Sequence, residues 1–180
     1  MRIRHISGLL CLCLLLVAGA AHGKEVKLEP RELLDGKLIL LVPASFEEMS
    51  DELRRLKYPS ERRPPIVFSN YMGSVNIAVK PTEHRIAEAD MESARFSMER
   101  GFKAAYPGSD IFSSPIEIDG TLGFFFDFWV PVPDTDVRNW IVGISVEGQL
   151  VMVSFNVTRE LEPEWMGTAE EIMTSINIVD

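Results

Sequence analysis

One histidine, His84, follows residue 23 of this chain. A hydrolytic triad could be assembled only around it, with Asp90 or Asp110 orienting the ring. No Gly-x-Ser-x-Gly turn marks a nucleophile. Flanked by Glu83 and Arg85, His84 reads as a surface residue. Asp134 and Asp136, with Asn139 nearby, offer oxygen atoms to a cation. The run departs from a calcium loop, which continues to a third acid or amide, a glycine and a closing glutamate. Pro131 and Pro133 make it a hairpin loop instead. Both cysteines, Cys11 and Cys13, lie in an N-terminal apolar run. No catalytic residue, metal ligand or cofactor is therefore expected. Asn156-Val157-Thr158 matches a glycosylation sequon, but it falls inside a predicted strand and is taken as a chance match.

Two other groupings have the chemistry of binding. Arg54, Arg55, Lys57, Arg62 and Arg63 place five cations within ten positions of an acidic chain. They read either as a contact for an acidic partner or phosphate, or as a solvated helix end where cations suit the dipole. The second grouping lies on the strands between residues 122 and 158. Phe124, Phe126, Phe128 and Val130 alternate with Phe125, Asp127 and Trp129. Pairing the first set with Trp140, Val142, Ile144 and Val146, and with Val151, Val153, Phe155 and Val157, gives one uniformly apolar core face. The opposite face then carries Phe125, Asp127 and Trp129 beside Ser145, Ser154 and Asn156. It is expected to be either covered by a helix, in which case Asp127 needs buried partners, or a groove with aromatic walls and polar anchors.

The elements that would position these residues are legible from periodicity and turn residues. Lys37–Val42 reads as a buried strand stopped by Pro43. A helix is predicted from Ser45, with Glu48 completing a capping box and Phe46, Met49, Leu53 and Leu56 as its buried stripe. Residues 66–69 and 74–79 read as a strand pair ended by Pro81. A long helix follows over 88–105, with Met91, Ala94, Met98 and Phe102 on one face, and Gly101 in it suggests close packing. Four strands are predicted over 110–118, 122–130, 139–147 and 150–158, with Asp119-Gly120 and Glu147-Gly148 as tight turns and 131–136 as a longer loop. A last helix starts near Pro163. This order predicts an α+β domain, a mainly antiparallel sheet of six to seven strands flanked by helices.

The N-terminus says where such a domain would work. Arg2, Arg4 and His5 precede an apolar run from Ile6 to Ala18, and small residues lead to Gly23. This is the three-part pattern of a cleavable secretory signal over residues 1–23. The run is shorter than the roughly 20 residues of a membrane-spanning helix. Neither cysteine ends the run after a small residue, so lipidation is not expected. Residues 24–36 form a lead segment and 37–180 a single domain, large enough to hold a core without disulfides. The signal holds two of the eighteen cations and none of the 27 acids, so the remainder carries a net charge of −11. That balance disfavours nucleic acid and anionic membrane as partners.

Leu38–Phe46 running through Pro43, the long helix leading into a four-strand meander, and the closing helix around Ala169–Ile176 together resemble the PsbP-like family. Photosystem extrinsic proteins, a Ran-binding import factor and DcrB-type envelope proteins belong to it. The resemblance spans about residues 35–178; the proline-rich Lys57–Pro65 segment departs from the pattern. It implies an α/β/α sandwich that docks onto other proteins and performs no catalysis, and it assigns no site residues. The expectation is a periplasmic or secreted, non-enzymatic binding or adaptor protein whose partner is another envelope or secreted protein. The alternative is a small-molecule or lipid carrier using the aromatic sheet face, and an enzyme stands third.

Overall fold

The computed structural model describes residues 26–179; the signal expected over 1–23 lies outside the described residues. Ten strands and three α-helices follow one another. The lead segment is itself a strand, β1 (Leu28–Leu33), which pairs antiparallel with β2 (Leu38–Pro43). Leu38, Leu40 and Val42 alternate inward on β2 and are fully buried. The chain then forms β3 (Glu47–Glu48), α1 (Asp51–Lys57), β4 (Ile66–Ser69) and β5 (Val75–Arg85). After a 3-10 turn at Glu88–Asp90 comes α2 (Met91–Ala105), then the meander β6 (Ile111–Ile118), β7 (Thr121–Val132), β8 (Thr135–Val146) and β9 (Gln149–Thr158). The closing elements are α3 (Glu162–Thr174) and β10 (Asn177–Ile178).

Seven strands form one antiparallel sheet in the order β3-β4-β5-β9-β8-β7-β6, and β1-β2-β10 form a second, smaller one. One face of the large sheet is covered by α3 and the small sheet. Its core includes Ile77, Val79, Val142, Val153 and Phe155 against Leu40, Ala169 and Ile172. The other face carries two separate clusters. Phe124, Phe126 and Phe128 pack under α2 with Met91, Met98 and Phe102, and Met49, Val67 and Ala78 pack under α1 with Leu53 and Tyr58. The result is the expected α/β/α sandwich. None of the helices among the described residues is long and apolar enough to cross a membrane.

Local differences from the sequence reading have physical causes. The first helix begins at Asp51, not Ser45. Glu47 and Glu48 pair with Ser69 and Phe68, and the Met49 N–H donates to Val67 O at 2.7 Å. The backbone of the supposed capping box is thus already committed to the sheet. Ser50 is the real cap, its Oγ accepting from Leu53 N at 3.3 Å. The predicted stripe dissolves accordingly: Phe46 stacks on Trp165 at 5.4 Å, while Leu56 is 75 % exposed. Pro81 does not end β5, which continues past an irregularity between Pro81 and Arg85. The loop at 131–136 contracts to a two-residue turn, because Pro131 pairs with Asp136 and Val132 with Thr135.

Gly101 marks no close packing: a Cβ there would meet nothing within 4 Å, and the same holds for Gly167 in α3. At Gly143 a Cβ would stand 2.1 Å from the Phe124 ring. Gly101→Ala and Gly167→Ala should therefore each raise unfolding free energy by up to about 1 kcal/mol. Gly143→Ala should lower it by about 1–3 kcal/mol through overpacking. Urea denaturation of the three variants measures the contrast, and a destabilised Gly101→Ala would contradict the packing described.

Candidate functional site

Strand register decides which side chains meet, since paired residues of antiparallel strands share a face. Phe124 pairs with Gly143, Phe125 with Val142, Phe126 with Ile141 and Asp127 with Trp140. Val142 pairs in turn with Val153, and Ile141 with Ser154. The face with Phe125, Asp127 and Trp129 is therefore the α3 face, shared with Trp140, Val142 and Val153. Phe124, Phe126 and Phe128 lie on the opposite face with Ile141, Ser145, Ser154 and Asn156. The six residues expected to line one groove are split between the two sides of the sheet. The cause is β7 itself: the run Phe124-Phe125-Phe126 is apolar on both sides, so hydrophobicity does not orient it.

Each half of the split group has a definite setting. Ser154 and Asn156 belong to a polar cluster under α1. Tyr58 Oη donates to Asn76 Oδ1 at 2.7 Å, Asn156 Nδ2 donates to the same oxygen at 2.8 Å, and Asn156 Nδ2 also reaches Ser154 Oγ at 3.2 Å. Burial pushes the Tyr58 hydroxyl far above the usual tyrosine range, so it remains a neutral donor. Asn156 is 6 % exposed and its sequon is closed off within the fold. Ser145 Oγ donates to Ile86 O at 3.2 Å, tying β8 to the chain leaving β5.

On the α3 face, the half-buried Asp127 has its partner. Arg138 Nε and Nη2 donate to its two carboxylate oxygens at 3.0 and 2.8 Å. Arg138 also binds Glu162 at the start of α3 and touches Met166 Sδ at 3.1 Å. These carboxylates, Asp127 first, push the Arg138 guanidinium above its ordinary value. Trp129 lies under Arg159, 4.2 Å from its ring centre, and Arg159 in turn holds Asp136 at 2.7 Å. Asp127 is thus tied through Arg138 to the first turn of α3, and Trp129 is covered by Arg159.

Beyond α3, toward β6, the sheet face opens into a half-open cleft of about 670 Å³. Phe125, Trp140 and Val142 form part of its lining, with Ile116 and Ile118 from β6 and Met173 and Ile176 from the end of α3 and beyond it. The Phe125 and Trp140 rings meet edge to face, their centres 5.8 Å apart. Trp140 Nε1 is shielded from solvent and meets no acceptor among the described residues. Glu117, Asp119 and Glu170 are the charged residues of the lining, and no cation joins them. Asp119 Oδ2 accepts from Asn177 Nδ2 at 3.0 Å and Ile178 N at 3.1 Å, which fixes the β6–β7 turn against β10. A signal for this cleft lay in the turn. Asp119-Gly120 is a two-residue hairpin, which forces Ile118 opposite Thr121 and so Ser114 opposite Phe125, putting Ile116 and Ile118 on the Phe125 face.

Two residues of the basic segment are engaged within the fold. Arg54 binds Asp51 and the carbonyl of Pro65, and Arg63 Nε donates to the carbonyls of Tyr58 and Ser60 at 3.2 and 3.1 Å. Both guanidiniums hold the Tyr58–Pro65 segment to α1, leaving Arg55, Lys57 and Arg62 exposed. His84 is exposed, and no imidazole hydrogen bond links it to Asp90 or Asp110. Asp136 is occupied by Arg159, and Asn139 Nδ2 donates to Val137 O. No cluster of three acidic, histidine or cysteine side chains among the described residues could hold a metal ion. Arg138→Met should cost about 1–3 kcal/mol in chemical denaturation, because it leaves Asp127 and Glu162 half-buried without a counter-ion. An unchanged unfolding midpoint would show that the clamp carries no stability.

No protein-family model matches the chain, and no curated protein matches it in sequence. Solved structures do match in fold. Cyanobacterial PsbP (CyanoP) from Synechocystis sp. PCC 6803 superposes with a TM-score of 0.61 at 11 % identity, covering 91 % of this chain and 99 % of that one. LpqN of Mycobacterium tuberculosis, described as involved in cell envelope biogenesis, gives 0.51 at 14 % identity, covering 86 % and 92 %. At such identities the likeness is one of architecture, and the architecture is that of the PsbP-like fold.

Proposed function

We propose that this chain is an exported, non-enzymatic binding protein that receives an apolar group in the cleft between α3 and the β6–β7 hairpin. The observation that carries the reading is the cleft: about 670 Å³, walled by aromatic and aliphatic side chains, with a single shielded indole N–H left without an acceptor. That size and composition fall within the range of sites for small ligands or anchoring side chains. Export rests on the signal pattern of residues 1–23. A periplasmic or secreted setting is supported by the likeness in fold to LpqN, a protein of cell envelope biogenesis. The reading as a binding protein is further supported by the settings of the polar residues once considered for chemistry. Asp127, Asp136 and Ser145 all serve to hold elements together.

The neutral fluorophore N-phenylnaphthylamine should bind the purified domain saturably, one molecule per chain. Thr174→Trp, at an exposed position on the α3 wall of the cleft, should weaken it at least tenfold while circular dichroism stays unchanged. Absence of saturable binding, or equal binding by the folded variant, would overturn the reading.

A further inference from the structure

The cleft runs alongside a free sheet edge, and its charge is one-sided. β6 is the last strand of the seven-strand sheet. In a two-residue hairpin the residues flanking the turn share both backbone hydrogen bonds. Ile118, Ile116 and Ser114 therefore bond inward to Thr121, Gly123 and Phe125, and Glu117, Pro115 and Ser113 turn their backbone groups outward. Pro115, which has no N–H, sits where no strand among the described residues pairs with the outer side of β6. It blunts the edge at its middle without closing it: Ser113 and Glu117 on either side keep an outward N–H and C=O. Ile116 and Ile118 point from this strand into the cleft beside Phe125, and Phe112, 59 % exposed, extends the apolar strip along β6, 6.5 Å from the Phe125 ring. Asp119 and Glu170 stand at the rim of the apolar floor, Glu117 turns its side chain from the bordering strand to the opposite face beside Leu122, and no lysine, arginine or histidine lines the cleft.

We propose that the occupant of the cleft is an extended polypeptide segment of a partner protein, in which an aliphatic or aromatic side chain is flanked by lysine or arginine. The inference rests on the cleft being the binding site and names what it binds. The segment lies along β6, its backbone pairing with Ser113 and Glu117 across the gap left by Pro115. One apolar side chain enters between Phe125 and the end of α3; its immediate basic neighbours, which alternate to the opposite face, meet Glu117 at the strand edge, while Glu170 adds negative potential at the rim of the cleft. Strand addition supplies main-chain hydrogen bonds, the pocket supplies side-chain specificity, and the acidic rim selects charge and speeds encounter. A free apolar small molecule would use the floor and leave the strand edge and the acids unused.

The test uses a fluorescein-labelled nonapeptide alternating lysine with leucine, its glutamate-for-lysine twin, and a lysine–leucine peptide N-methylated at alternate backbone nitrogens. Fluorescence anisotropy should show the lysine peptide binding at least tenfold more tightly than either relative in low salt, the margin over the glutamate twin shrinking as salt rises. Glu117→Lys with Glu170→Lys should abolish the preference for lysine over glutamate, while N-phenylnaphthylamine binding is retained. Thr174→Trp should weaken the peptide and the fluorophore together. If the fluorophore binds and the peptides do not, or bind without regard to charge or N-methylation, the cleft stands as a site and the proposed partner is wrong. If neither binds, both readings fall.

Discussion

The pairing of Phe124 with Gly143 sets the sides of the whole sheet. β7 carries three consecutive phenylalanines, so apolar burial alone would accept it either way up. A ring needs space, and the absent side chain at Gly143 supplies it, since any Cβ there would collide with the Phe124 ring. A shift of β7 by one residue would place Phe125 over that gap and send Asp127 under α2, among Met91, Met98 and Phe102 and away from Arg138. Sterics at one glycine and electrostatics at one aspartate thus agree on the same register, which is the consistency between levels expected of a sequence that specifies a single fold.

Polar groups inside the sandwich are handled differently on its two faces. On the α3 face a single guanidinium gathers Asp127 and Glu162, joining β7, β8 and the first turn of α3. Under α1 neutral groups do the work. Tyr58, Asn76 and Asn156 share one acceptor oxygen and fix α1 over β5 and β9 without any net charge to desolvate. At the outer edge of α2, Arg95 combines both devices, binding Glu92 at 2.9 and 2.6 Å and donating to Ser113 Oγ at 2.5 Å on β6. Each helix is therefore attached to the sheet by at least one directional polar contact in addition to its apolar face.

Sequence patterns located most elements because their signals were local: alternation in β7 to β9, the glycine turns at 120 and 148, and proline at the start of α3. The capping box at Ser45 misled because its residues fit a helix start equally well, and only the long-range pairing of Glu47 and Glu48 with β4 decides against it. β1 escaped because Glu29, Pro30, Arg31 and Glu32 between its leucines leave a weak apolar pattern; its one strand partner among the described residues is β2. The groove was misassembled for a different reason. Its residues were identified from alternation within each strand, but the phase between strands depends on turn length and on which side chains can stand opposite each other. Counting through Asp119-Gly120 would have recovered the β6 contribution. The part played by Met173 and Ile176 depends on where α3 crosses the sheet, which no local pattern encodes.

The burial of Asn156 has a consequence for any cell that glycosylates exported chains. The acceptor triplet Asn156-Val157-Thr158 is complete, yet in the folded domain the amide nitrogen that would carry a sugar is bonded to Asn76 and Ser154 beneath α1. An oligosaccharyltransferase can reach it only while β9 is unpaired, and a chain modified there cannot close α1 over β5 and β9. The triplet is thus a record of timing: in such a host, the fraction of glycan-free product reports how fast β9 finds its neighbours relative to the passage of the transferase.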